Sequence, residues 1–479
     1  MKRQPKKARS NDALIAIFHC KGGPMKHKNT PRGGSSREDY LDEWYDESES
    51  NNSDSLSSFL SVFKFLIPVF LLGCAANAQI GGHEKSYEFN RDEIVKINDK
   101  TCIDIFVVSG QSLGSGARSD TTPRTPITKL NNKNHLMISN QFFEDGTIRD
   151  NSSWTLDLLT NPMRKFMGMS SYPLNVWDES ISASFAERIV EKSYKKKAIH
   201  INVAVSGAPL YTLGSPESNE QKSFWGFGKE LEAIKRLNPE DCFNFEAILM
   251  VHGESDNGNH NYQNELFSYK NSLNDKFDEI MGYSGSNATM IFTQPSSRYP
   301  TSTGSYNTTS QDMIDLSEKY PNDFYLAGSK LNLQYDGDDF HLDPYGTRQL
   351  GYLYADGYIN MKNRTKSTTN PQKISREGNV IHIEYDDDVY FDCEKGKHHQ
   401  NSFYWSNGGG FELKDGYDRK LKITNSSSSG KVVSLEFSSN SSPAEIYVSY
   451  ASILEENEID RGGCLESDKK VIQFLSKVP

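Results

Sequence analysis

A serine hydroxyl is inert until a base takes its proton, so a serine of interest is one whose chain also supplies that base. Ser112 stands in Gly110-Gln111-Ser112-Leu113-Gly114-Ser115-Gly116, directly behind the apolar run Ile105-Phe106-Val107-Val108. Taken alone it reads as a turn residue in a glycine-rich loop. Far along the chain lies Asp338-Asp339-Phe340-His341. In a loop, a carboxylate at i reaches Nδ1–H of a histidine at i+3, which fixes the tautomer and leaves Nε2 for the serine. Asp338 has that spacing to His341, and Asp339 reads as its solvent-facing rival. Two further glycine-bearing loops, Ser206-Gly207-Ala208-Pro209 and His252-Gly253-Glu254-Ser255-Asp256, also follow apolar runs.

These loops need a scaffold that presents them together. Ile105 to Val108, Ile201 to Val205, Ala247 to Val251 and Met290 to Phe292 are short apolar runs of the kind that form strands buried on both faces. Between them, Phe185 with Ile189, Phe227 with Leu231 and Ile234, and Leu266 with Leu273, Phe277 and Ile280 mark helix faces. Asp343-Pro344 predicts the start of a further helix, with Asp as N-cap and Pro in the first turn. Strand and helix alternating over residues 95–362 predict an α/β fold with a parallel, doubly wound sheet flanked by helices (flavodoxin-like). Such sheets place their ligands outside the carboxyl ends of the strands. Beyond a polar linker at residues 363–373 the period changes. Val380 to Tyr385, Leu421 to Ile423, Val432 to Phe437 and Ile446 to Tyr450 alternate as half-buried strands, so residues 374–479 are expected to form a small all-β sandwich.

With the four motifs in this order behind predicted strands, the chain resembles the SGNH hydrolases, and within them the sialate O-acetylesterase and acetylxylan-esterase-like group. The residues that carry the likeness are Gly110-Gln111-Ser112, Gly207, His252-Gly253-Glu254-Ser255-Asp256 and Asp338-Asp339-Phe340-His341-Leu342. The resemblance implies Ser112 as nucleophile, His341 as general base, Asp338 as its orienting acid, and the Ser112 and Gly207 N–H groups as oxyanion donors. The third donor departs from the pattern: Ser255 stands where the superfamily has Asn, and His252 where closer relatives have Gln. His252 is the candidate for that role; if it donated only when protonated, activity would fall as pH rises. Gln111, Glu254, Trp225 and Tyr299 are the substrate-facing candidates, the aromatics for stacking on a sugar ring. Glu254 and Asp256 also read as residues that hold loops together. His252 and His260 lack the His-x-x-x-His or Cys pair of a metal site, and neither metal nor cofactor is expected. Tyr447-Val448-Ser449-Tyr450 and Arg461-Gly462-Gly463-Cys464-Leu465 resemble the β-domain that trails some of these esterases, either as a lid or as a sugar-binding module.

Composition limits the alternatives. The 479 residues carry a net charge of -11, which argues against a nucleic-acid-binding body. Residues 1–58 show no apolar periodicity and are expected to be a disordered polar extension. Within residues 59–78, Lys64, the run from Phe65 to Ala76 and the closing Ala76-Asn77-Ala78 form a signal-peptide pattern, too short for an ordinary span. Leu71-Leu72-Gly73-Cys74 also resembles a lipoprotein box, and an uncleaved membrane anchor is the third option. Of the six cysteines, Cys102 and Cys242 each precede a predicted core strand and can pair if those strands are neighbours; Cys393 and Cys464 would then close the C-terminal region. The alternative is four unpaired thiols. The expected function is that of an exported or cell-envelope serine esterase that removes O-acetyl groups from a glycan. The rivals are an esterase for other esters and a non-catalytic carbohydrate-binding or adhesion protein.

Overall fold

A computed structural model describes residues 102–116, 134–139, 141, 149–159, 179–214, 222–295, 308–331, 333–336, 341–392, 408–417, 419–439, 443–450, 464–467, 469–472 and 474–479, all within one compact unit. The extension, the 59–78 segment, Asp338, Asp339, Tyr299 and Cys393 lie outside the described residues. The first sheet contains β1 (Ile103–Gly110), β2 (His135–Ser139), β3 (Thr155–Leu158), β4 (Ala198–Asn202), β5 (Phe243–Val251), β6 (Thr289–Gln294) and β7 (Phe324–Ser329). Their order is β3-β2-β4-β1-β5-β6-β7, with β1 at the centre and buried along its whole length.

Every neighbouring pair in this sheet is parallel except β2–β3, so the expected all-parallel sheet is mixed. The exception has a physical reason. β3 is an edge strand that exposes Thr155, Asp157 and Leu158, and an antiparallel edge tolerates water on one face where a buried parallel strand does not.

The helices are α1 (Ser112–Ser115), α2 (Ile181–Glu191), α3 (Leu210–Gly214), α4 (Lys222–Leu237), α5 (Tyr262–Met281), α6 (Thr308–Lys319) and α7 (Pro344–Lys362). Alternate residues of β1 point to opposite faces, as a pleated strand requires. Ile105 and Val107 join the cluster that contains Phe227, Leu231, Leu273 and Phe277 of α4 and α5. Phe106 and Val108 join the cluster that contains Phe185 and Ile189 of α2 and Leu350 and Tyr354 of α7. Helices therefore cover both faces, and the strand order turns about β1. The loops after β1, β4 and β5 meet at that turning point, where open α/β sheets bind ligands.

The C-terminal strands form one seven-stranded antiparallel sheet in which Lys420–Ser429 joins two halves. Expected as a sandwich of two sheets, it is a single sheet curled on itself. The rings of Tyr385 and Phe474, from strands far apart in the order, lie 6.5 Å apart. Its first long strand, Pro371–Glu377, begins within the last residues of the stretch expected to be linker. A short parallel pair, Lys470 with Thr368 and Val471 with Thr369, ties the end of this region to the segment just after α7.

Cys102 and Cys242 form a disulfide, their Cα atoms 4.7 Å apart across a separation of 140 residues. Each precedes its strand, and β1 pairs with β5 from Ile103 opposite Phe243. Closing a loop of that size destabilises the unfolded chain by about 4–5 kcal/mol in a chain-entropy account. Cys464 is disulfide-bonded as well. Among the described residues no helix is long and apolar enough to cross a membrane.

One buried acid makes the fold sensitive to pH. Glu230 of α4 is buried, and desolvation pushes its carboxyl up to about 8 against the opposing hydrogen bond from Gln141 Nε2 at 2.8 Å. Between the ordinary carboxyl value and about 8 the folded chain keeps a proton that the unfolded chain has released. Stability therefore falls as pH rises through that window, by up to about 1.4 kcal/mol per pH unit from this group. Glu230→Gln should remove that slope and raise stability at pH 8 relative to wild type, measured by urea unfolding between pH 5 and 8. Parallel profiles for the two proteins would contradict the assignment.

Candidate active site

The Ser112 loop is shaped by a glycine that nothing else replaces. Gly110 has φ +123°, and a Cβ there would lie 2.0 Å from the Val251 carbonyl oxygen. That close approach lets Gln111 N–H donate to Val251 O at 2.9 Å, turning the chain straight into α1. Ser112 is the first residue of α1, where backbone N–H groups have no acceptor within the helix. Leu113 is buried beneath it, and the Gly114 carbonyl accepts from Asn202 Nδ2 at 3.0 Å. Ser115 Oγ donates to Ser112 O at 2.8 Å and lies 3.4 Å from Ser206 Oγ. The Ser112 and Gly207 loops are thus direct neighbours.

Gly207 has φ +70° with open space around it, so its requirement is conformational rather than steric. The segment after it is held from below. Asp256 Oδ2 accepts from Leu210 N–H at 3.0 Å, and His252 Nε2 lies 3.0 Å from the Ala208 carbonyl oxygen. A carbonyl only accepts, so Nε2 carries the proton and Nδ1 is left to accept from Tyr262 OH at 3.2 Å. His252 is wholly buried, and burial lowers its pKa, opposed by the nearby Asp256. Expected to donate to the oxyanion, this neutral imidazole instead has both nitrogens engaged under the Gly207 loop. A charged His252 therefore supplies no reason for activity to fall as pH rises.

Gln111 and Glu254, expected at the substrate, are also turned inward. Gln111 is 3% exposed; its Nε2 donates to Glu254 Oε2 at 2.5 Å, and its Oε1 accepts from Ser255 Oγ at 2.8 Å. The other Glu254 oxygen forms an ion pair with Lys330, a residue with no exposed side-chain surface. Breaking a buried pair by removing one partner costs about 3–5 kcal/mol, since the other charge is left unpaired. Sequence reading missed Lys330; the only signal was a lysine three residues after the run Phe324 to Ala327, which itself went unread as a strand.

His341 precedes α7, which is capped as expected: Asp343 accepts from Gly346 N–H at 2.7 Å, with Pro344 at the first position. The segment in front is pinned by a Tyr335–Leu342 bridge and by Asp336 N–H donating to the His341 carbonyl at 2.7 Å. Leu342, next to His341, and Leu113, next to Ser112, belong to the same buried apolar cluster, together with Leu333 and Tyr335. Both loops thus rest on one apolar cluster. Trp225 is 47% exposed in the first turns of α4, with Lys229 Nζ 5.9 Å from its ring. Two further exposed aromatics, Tyr211 in α3 and Tyr345 in α7, lie four residues after Gly207 and His341 respectively and were not foreseen. Among the described residues no group of acidic, His and Cys side chains is arranged to hold a metal ion.

The two glycines predict different penalties. Gly110→Ala forces a side chain into backbone and should lose at least about 3 kcal/mol, whereas Gly207→Ala meets only backbone strain of about 1–2 kcal/mol. Urea unfolding of both variants checks this, and equal losses would contradict it.

In fold the chain is similar to a carbohydrate acetylesterase from Xanthomonas citri, with TM-score 0.51 and 14% identity over 78% of this chain and 80% of that one. NanS aligns with TM-score 0.34 and 11% identity over 55% of this chain and 99% of its own. A Slackia heliotrinireducens chain assigned to the SGNH hydrolases aligns with TM-score 0.25 and 13% identity over 54% of this chain and 99% of its own. No family model and no curated protein matches the sequence. The likeness to the Xanthomonas citri acetylesterase, at 14% identity, is one of fold.

Proposed function

We propose that this chain is a serine esterase that removes O-acetyl groups from a glycan. Ser112 Oγ attacks the acetyl carbonyl while His341 Nε2 takes its proton, and Asp338 holds the imidazole from its other nitrogen. The tetrahedral oxyanion is met by the Ser112 and Gly207 N–H groups. Collapse expels the sugar oxygen, which receives the proton from His341, and leaves an acetyl-serine. Water, deprotonated by His341, then releases acetate and restores the Ser112 hydroxyl.

The observation that carries this reading is the shared core beneath the two loops, with Leu113 and Leu342 in one buried cluster and Ser115 against Ser206. This supports a reading in which Ser112, His341 and the Gly207 loop act together at one edge of the sheet. The fold shared with an acetylesterase supports the reaction class. Trp225, Tyr211 and Tyr345, exposed near the starts of helices that follow β4 and β7, are the candidate surfaces for sugar rings. Export, through residues 59–78, fits the Cys102–Cys242 disulfide, which persists in an oxidising compartment.

Assay of acetate release from an acetylated sugar tests the reading. Ser112→Ala should lose activity by a factor of about 10³ or more while remaining folded. Equal activity in wild type and Ser112→Ala would remove Ser112 as nucleophile, and no release from any acetyl ester by wild type would favour a binding role.

A further inference from the structure

We infer that Lys330 is a positioning residue that couples the nucleophile loop to the histidine loop through Glu254; this rests on the proposed serine-esterase reading. Lys330 follows β7, and its ammonium pairs with Glu254, which follows β5. Glu254 in turn accepts from Gln111, the residue immediately before Ser112. The side chains thus bridge from β7 to β1 across the carboxyl end of β6, where Lys330 N–H also donates to Gln294 O at 3.2 Å.

The backbone of Lys330 faces the other loop. Its carbonyl accepts from Leu333 N–H at 3.2 Å and from Tyr335 OH at 3.2 Å. Tyr335 bridges Leu342, the neighbour of His341. One residue therefore fixes both segments: its main chain holds the turn leading to His341, and its ammonium fixes the orientation of the Gln111–Ser112 turn through a carboxylate. Glu254 has two oxygens and each faces a dedicated partner, one the Lys330 ammonium in an ion pair and the other the Gln111 amide in a hydrogen bond. Removing the ammonium leaves a largely enclosed, unpaired carboxylate free to draw Gln111 or water out of register, and a shift of about 1 Å at a reacting atom costs on the order of 10² in rate.

The test is a double-mutant cycle of wild type, Lys330→Met, Glu254→Gln and the combined variant, with kcat and KM for acetate release measured alongside thermal unfolding. Each single variant should lower kcat by roughly 10- to 100-fold with KM changed by less than about threefold. The combined variant leaves no unpaired charge, keeps an acceptor for Gln111, and should recover kcat at least about tenfold over either single variant. A merely structural role would lower the unfolding temperature without this kcat-against-KM split or the recovery. If Lys330→Met fails to fold, the combined variant decides: kcat within about tenfold of wild type is expected, and kcat at the level of Ser112→Ala overturns the inference. Wild-type kcat in folded Lys330→Met, or additive losses in the combined variant, would also overturn it while the esterase reading stands. An inactive wild type would overturn both.

Discussion

At the end of β1 the chain must leave the sheet within one residue, against a neighbouring strand that is still paired. Gly110 does so with its α-carbon pressed against the Val251 carbonyl, at a backbone angle that favours glycine. Because no side chain intervenes, Gln111 can both bond to Val251 and tuck its amide behind the turn, between Glu254 and Ser255. Ser112 is then carried to the rim as the first residue of a helix, and the packing of Leu113 below prevents the turn from relaxing outward. The neighbouring loops are built on this step: Val205 N–H donates to the Gly110 carbonyl at 2.8 Å, which sets the height at which the Gly207 loop begins.

Charge is handled differently on the two sides of this turn. Under the Gly207 loop, burial keeps the His252 imidazole neutral, and its fixed tautomer ties Ala208 and Tyr262 together. Behind Gln111, Glu254 and Lys330 are retained as an ion pair with little or no solvent. An apolar pair of similar volume could fill that space with equal or greater stability, but it would offer nothing for the Gln111 amide to bind. The polar pair is therefore best understood through the geometry it imposes on the loop next to Ser112.

How far this was legible in the sequence depended on how local each determinant is. β1, β5 and β6 announce themselves as unbroken apolar runs, and the start of α7 through Asp343-Pro344. β4 was expected at residues 201–205 but lies at Ala198–Asn202, because Val203 to Val205 already belong to the turn that bonds back to β1. β2, β3 and β7 were not read. β2 opens on a buried histidine, β3 exposes most of its residues at the sheet edge, and β7 is interrupted by Tyr325 and Gly328. The direction of a side chain at a turn was least legible of all. Gln111, Glu254 and His252 have the composition of substrate-facing groups, and each is held inward by at least one partner more than forty residues away.

The central claim is that this edge of the sheet activates Ser112 and no other hydroxyl. Intact-protein and peptide mass spectrometry after treatment with a fluorophosphonate ester tests it most directly. The account predicts a single phosphonyl adduct on the peptide containing Ser112, absent after prior denaturation. An adduct on another serine, or none on the folded protein, would contradict it.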